Sequence, residues 1–121
     1  MKAIIDPDVL IDYLQGLPVA KEESARYRAP HHPFISFTEL MGGPRTSAEK
    51  RAVEGLLASM KKVELSDSVA RRTVELRQSL RLKLPDAVVL ASAEIEGCIL
   101  VTRNIRDFPA NDPRVRFPYA I

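Results

Sequence analysis

Short apolar runs alternate with segments of helical period from one end of the chain to the other, and this alternation constrains the fold more than any other feature. The runs at residues 2–6, Phe34–Ser36, Lys62–Leu65 and Cys98–Thr102 read as strands, and Val115–Phe117, limited by Pro118, as a last edge strand. Between them lie helical segments. Residues 8–15 place Val9, Leu10, Tyr13 and Leu14 at helical spacing, and 19–28 form a short charged helix. A helix opened by Ser36 stops by Gly42-Gly43-Pro44, and Ser47–Met60 buries Val53, Leu56, Leu57 and Met60. Ser66 caps a helix to Leu80, with Val69, Thr73, Leu76 and Leu80 on one face. Pro85 starts a more apolar helix, Asp86–Glu96, which Gly97 ends. Strands separated by helices pair in parallel through crossovers. The expected fold is therefore α/β: three layers, α/β/α, around a mostly parallel sheet.

At 121 residues the chain is expected to form one domain, 1–121, burying about two thirds of its unfolded surface. No signal-peptide core and no stretch long enough to span a membrane are visible. One cysteine, Cys98, leaves no internal disulfide and suits a reducing cytoplasm, with packing as its expected role. The net charge of +2 says little about partners. Its distribution says more, because Arg71, Arg72, Arg77, Arg81 and Lys83 share one segment while Arg103 and Arg106 flank an acidic position. Such cations would let a polyanion approach carboxylates that otherwise repel it, although for the first cluster alone a solvated helix face is the favoured reading.

Acidic or amide residues stand where strands end or helices begin: Asp6 after Ala3-Ile4-Ile5, Glu39 after Phe34-Ile35-Ser36, Asp86 behind Pro85, and Asn104 with Asp107 after Ile99–Thr102. In a parallel α/β sheet those points converge beyond the carboxyl ends of the strands, where such folds bind ligands. Gathered carboxylates need a hard cation among them, and oxygen donors suit Mg²⁺ or Mn²⁺. Each acid also has a structural explanation. Glu39 completes an S-x-x-E capping box with Ser36, Asp86 complements a helix dipole, Asp8 caps the first helix, and Asp107 sits in a turn. Asp6 has no such role in this reading. Asp12 and Asp67 read as exposed helix acids, and His31 and His32 as solvated loop residues. No glycine-rich phosphate loop and no zinc-spaced Cys/His set occur.

The segments AIIDPDVLIDYL, FISFTELMGG and LKLPDAVVLASA followed by LVTRNIRDF, with a final strand ending in Pro118-Tyr119, resemble a VapC-type PIN-domain toxin over essentially the whole chain. The resemblance implies a homodimeric, Mg²⁺- or Mn²⁺-dependent endoribonuclease that leaves a 5′-phosphate and a 3′-hydroxyl. It also implies a small VapB-like antitoxin that blocks the groove and carries the contact with promoter DNA. The matching acids are Asp6, Glu39 and Asp86, with Ser36 at the hydroxyl position and the fourth acid at Asn104 or Asp107. Where relatives follow the first acid with small hydroxyl or amide residues, this chain has Pro7 and Asp8, so Asp8 joins the expected metal set. Arg103, Arg106, Arg77 and Arg81 are the expected phosphate contacts. Two alternatives stand beside this one. The first is a PIN-fold interaction module whose catalysis Asp8 and Asn104 have impaired. The second is a haloacid-dehalogenase-like phosphatase, suggested by Asp6-Pro7-Asp8.

Overall fold

The run Ala3–Ile5 is β1, and all three of its side chains are buried. The computed structural model describes residues 2–109 and 111–120. In it β1 lies at the middle of a sheet completed by β2 (His31–Pro33), β3 (Lys61–Val63), β4 (Ile99–Val101) and β5 (Val115–Arg116), in the order β3-β2-β1-β4-β5. Every pairing is parallel. β1 and β4 pair residue for residue, Ala3 with Ile99, Ile4 with Leu100 and Ile5 with Val101. The crossovers are α1 (Pro7–Leu14), α2 (Pro18–Ala25), α3 (Ile35–Met41), α4 (Ser47–Ala58), α5 (Asp67–Leu80) and α6 (Leu84–Glu96).

Strand side chains alternate between the two faces, so each strand feeds two cores. Ile4 joins Val69 and Leu76 of α5 and Ala87, Leu90 and Ala91 of α6. Ala3 and Ile5 join Val9 and Leu10 of α1, Ala20 of α2, Leu40 of α3, and Val53 and Leu57 of α4. Fully burying a side chain such as Ile4 or Leu90 is worth about 1.5–3 kcal/mol. Those two cores hold the three expected layers together. Glu94 of α6 further ties α5 to the segment before β5, through Arg72 on one side and Arg114 on the other. Gly97 ends α6 at φ +66, the left-handed conformation that glycine adopts without strain. At the end of α5, Arg81 takes that conformation instead, at φ +56. No described helix is long and apolar enough to cross a membrane.

The second strand departs from the sequence expectation. It is His31-His32-Pro33, and Phe34 has already turned to helical angles, φ −53 and ψ −32. The Phe34 N–H donates to Val63 O, closing the ladder with β3 as α3 begins. His31 and His32 are therefore buried strand residues, not solvated ones. Ser36 is not the α3 cap either. It lies inside the helix, fully buried, and α3 begins without a side-chain cap.

Candidate active site

β1 delivers Asp6 to the carboxyl edge of the sheet, and the helix that follows decides its conformation. Its backbone N–H donates to Val101 O of β4, and its carboxylate accepts from the Asp8 N–H at 3.3 Å. Asp6 is thus the N-cap of α1, with Pro7 contributing no N–H to the first turn. The structural role that sequence left unassigned at Asp6 is this cap, and Asp8, the expected cap, is free for the site. Burial, then the charge of Asp8, pushes the Asp6 carboxyl up to about 8.

Asp8 stands at the electrostatic centre. Its Oδ2 accepts from Thr102 Oγ1 at 3.2 Å, while its Oδ1 is buried with no partner. Burial raises its pKa against the pull of the Arg103 charge. Asp8 in turn raises Asp6, Glu39 and Asp86. Glu39 projects from α3 and is raised by burial first. Asp86, in the first turn of α6, is pushed up to about 6 by burial and then by Asp107. Asp107 itself accepts from the Asn104 amide at 2.8 Å, and this bond holds it below the usual carboxylate range. The structure therefore brings Asp6, Asp8, Glu39, Asp86, Asn104 and Asp107 to one edge. Lys83, one turn before Asp86, lowers both Asp86 and Asp107 and is a neighbour that sequence reasoning had placed only in a general basic cluster.

The expected phosphate contacts separate. Arg106 is exposed beside Asp107, and Arg77 and Arg81 are exposed at the end of α5. Arg103 is engaged elsewhere: its Nε donates to Asp12 Oδ2 at 2.7 Å. Asp12, expected as an exposed helix acid, is buried, and it also accepts from the Tyr119 hydroxyl at 2.8 Å. Sequence held one signal for this. Asp8 and Asp12 are like charges at i,i+4 on one helix face, a pairing that calls for a cation between or beside them. Ser36, the expected hydroxyl at the site, has no exposed surface, and its Oγ has no partner.

A hard divalent cation fits these residues. Burial and mutual repulsion make the carboxyls resist ionisation without positive charge among them, and the unpartnered Asp8 Oδ1 is an oxygen donor of the required kind. Among the described residues no three His, Cys, Asp or Glu side chains close into a ready-made cage. Mg²⁺ needs none, since it commonly binds through one or two carboxylates and keeps its waters.

Comparison with known proteins places this geometry in context. The PIN domain model matches residues 3–112. The chain is 34% identical to ribonuclease VapC10 of Mycobacterium tuberculosis, over 98% of this chain and 93% of that protein. It is also similar to a chain in a toxin-antitoxin complex from Klebsiella pneumoniae, at a TM-score of 0.92 and 34% identity, covering 98% and 99% of the two chains. A chain of DNA-bound VapBC from Salmonella typhimurium shares the fold at a TM-score of 0.79 and 20% identity, with 96% and 97% coverage. The family match decides against the phosphatase alternative.

Proposed function

The chain belongs to the PIN-domain family, as a VapC-type toxin, and from that premise we propose that it is an endoribonuclease working with Mg²⁺ or Mn²⁺. The observation that carries this is the gathering of Asp6, Glu39 and Asp86 about Asp8, each raised by a neighbouring acid. Asp6, Asp8, Glu39 and Asp86 would hold the ion, with Asn104 and Asp107 beside them. When bound, the ion supplies positive charge that acidifies water and offsets charge growing on the phosphate. The chain's own residues do the rest. Asp86 and Asp107 lie side by side, and Asp107, beside the carboxylates that would hold the ion, is placed to take a proton from the attacking water. Water attacks phosphorus in line and gives its proton to Asp107, the P–O3′ bond breaks, and the departing 3′ oxygen takes up a proton from solvent. The products are a 5′-phosphate and a 3′-hydroxyl. Lys83, Arg106, Arg77 and Arg81 draw the polyanion in, and single-stranded or looped RNA gives the backbone the freedom to reach the acids.

The partner is a small VapB-like antitoxin. Each segment that delivers an acid also exposes a large apolar side chain: Ile11 on α1, Phe37 on α3, Leu84 on α6 and Ile105 in the loop after β4. A cavity of about 370 Å³ is lined by Ile11, Leu14, Leu40 and Val53 together with Glu39 and Glu49. Apolar groups on the segments that carry the acids suit a basic, amphipathic peptide that excludes RNA. The toxin is taken as a cytoplasmic homodimer that meets promoter DNA only through the antitoxin.

Purified protein freed of any partner should cut RNA with Mg²⁺ or Mn²⁺ and stop with EDTA. Asp86→Asn should abolish cutting while leaving thermal unfolding nearly unchanged, and cleavage at the wild-type rate would refute the assignment. A second reading, an interaction module with impaired catalysis, draws on Asp8 in a hydroxyl position and on the Asn104 amide facing Asp107. It requires that the chain bind an antitoxin peptide yet leave RNA intact with both ions.

A further inference from the structure

Asp12 lies one helical turn beyond Asp8 on α1, is only 4% exposed, and receives two donors from distant parts of the chain. Arg103 Nε and the Tyr119 hydroxyl both donate to its Oδ2, at 2.7 and 2.8 Å, and Arg103 Nη2 reaches Oδ1 at 3.5 Å. We propose that Asp12 is a positioning residue for the nuclease: by holding Arg103 and Tyr119 on one buried carboxylate, it sets the loop of residues 102–107, with Asn104 and Asp107, against Asp86. The proposal rests on the endoribonuclease reading and adds to it a residue outside the acidic centre.

The hydrogen bonds show how the loop is held. Thr102, fully buried at the end of β4, donates through Oγ1 to Asp8 and accepts there from the Asn104 N–H at 3.1 Å. That fixes the loop's entry. Arg103, the next residue, crosses to α1 and bonds Asp12, so two successive residues at the start of the loop are tied to the helix that presents Asp8. Asn104 then orients Asp107 through its amide. Tyr119 extends the tether: its ring packs in the core shared by β1, α1, α2 and α4 while its hydroxyl meets Asp12. Breaking this chain at Asp12 therefore frees the loop without touching Asp6, Asp8, Glu39 or Asp86.

A buried carboxylate is an expensive way to obtain stability alone, even when a half-exposed arginine pairs with it, since apolar residues of equal volume often do as well or better. What it adds is a single geometry, and catalysis is sensitive to that. A misplacement of about 1 Å away from the chemistry costs up to roughly a hundredfold. It also gives Arg103 a role different from the expected phosphate contact, because its guanidinium fork is spent on Asp12.

The test uses Tyr119→Phe, which removes one donor and keeps the ring, with Asp12→Asn and Arg103→Gln. Two readouts are taken: steady-state cleavage of a fluorogenic oligoribonucleotide with saturating Mg²⁺, and amide hydrogen exchange of the intact chain. The expected result is a fall in kcat of roughly tenfold with KM within about twofold of wild type, together with faster exchange at residues 103–107, in all three variants. A KM rise confined to Arg103→Gln, with exchange at 103–107 unchanged in every variant, overturns the proposal and makes Arg103 an RNA contact. Uniform destabilisation with unchanged kcat overturns it as well. If the wild-type chain cuts no RNA, the nuclease reading fails and exchange at 103–107 decides the tether by itself.

Discussion

Replacing Asp8 by Asn removes a charge from the centre of the site and keeps an oxygen to accept from Thr102 Oγ1. In the ion-free protein, Asp8 opposes the ionisation of Asp6, Glu39 and Asp86, while its own ionised form is favoured by the charge of Arg103 and then by hydrogen bonds, the Thr102 hydroxyl first, which an Asn can still accept. Like charges in a partly buried site repel by a sizeable fraction of a kcal/mol to several kcal/mol each at an effective dielectric near 20. Protonation of Asp6 relieves much of this repulsion, because its carboxyl already sits near 8. Arg103 keeps Asp12 as a partner, so losing its attraction to Asp8 costs about 1 kcal/mol or less. The net expectation is a gain of about 1 kcal/mol for Asp8→Asn without metal, or roughly 4 °C in Tm for a chain of this size. With Mg²⁺ the sign reverses. A carboxylate lost from the donor set weakens cation binding about tenfold, near 1.4 kcal/mol, and the stabilisation that the ion confers shrinks accordingly. Thermal unfolding in EDTA and across a Mg²⁺ series, with calorimetry for the binding constant, measures both effects. An Asp8→Asn protein that melts lower in EDTA and gains as much from Mg²⁺ as wild type would refute the reasoning and leave Asp8 as a hydrogen-bond acceptor for Thr102.

Glu23 offers a test away from the site: its buried carboxylate accepts from Arg116 Nε and from the Tyr27 hydroxyl, and the Arg116 bond leads in holding it below the ordinary 4.5. Its contribution is whole above pH 4.5 and disappears as the pH falls through the folded value, so Glu23→Gln should cost about 2 kcal/mol in urea at pH 7, discounted for the partly exposed Arg116, with the gap closing in acid. His31 has both ring nitrogens buried without partners, and burial, then Lys2 and Lys61, lowers its pKa below 6.5. The stability that goes with its neutral ring is present above pH 6.5 and lost as the pH falls through the folded value, so His31→Leu should flatten the decline of Tm below pH 6.5. Arg81→Gly should raise stability by about 1 kcal/mol in urea, because Arg81 holds a left-handed conformation at the end of α5. The same change should raise KM for RNA through the loss of an exposed cation.

β1 and β4 were legible because Ala3-Ile4-Ile5 and Ile99-Leu100-Val101 are apolar on both faces, as a strand covered by helices on each side must be. β2 was not, because histidine and proline carry no strand signal and burial there comes from neighbouring strands. The apolar residues that drew the assignment, Phe34 and Ile35, begin a helix instead. The positions of Asp6, Glu39 and Asp86 at element ends could be read locally, and so the acidic edge could be expected. The roles of Asp12 and Tyr119 could not. Their partners are fixed by the tertiary fold, and Arg103 meets Asp12 across 91 residues of sequence.

That separation has a consequence for synthesis. Asp6, Asp8 and Asp12 leave the ribosome early, yet β1 waits for β4, Asp8 for Thr102, and Asp12 for Arg103 and Tyr119. At about 5–20 residues per second, roughly 5–20 s pass between translation of Asp8 and translation of Thr102. Through that interval the nascent chain acquires Glu39 and then Asp86 but still lacks the loop that aligns them with Asp6. A chain that stalls before residue 102 therefore lacks Thr102, Arg103, Asn104 and Asp107, and with them the ties that hold the acidic edge to α1.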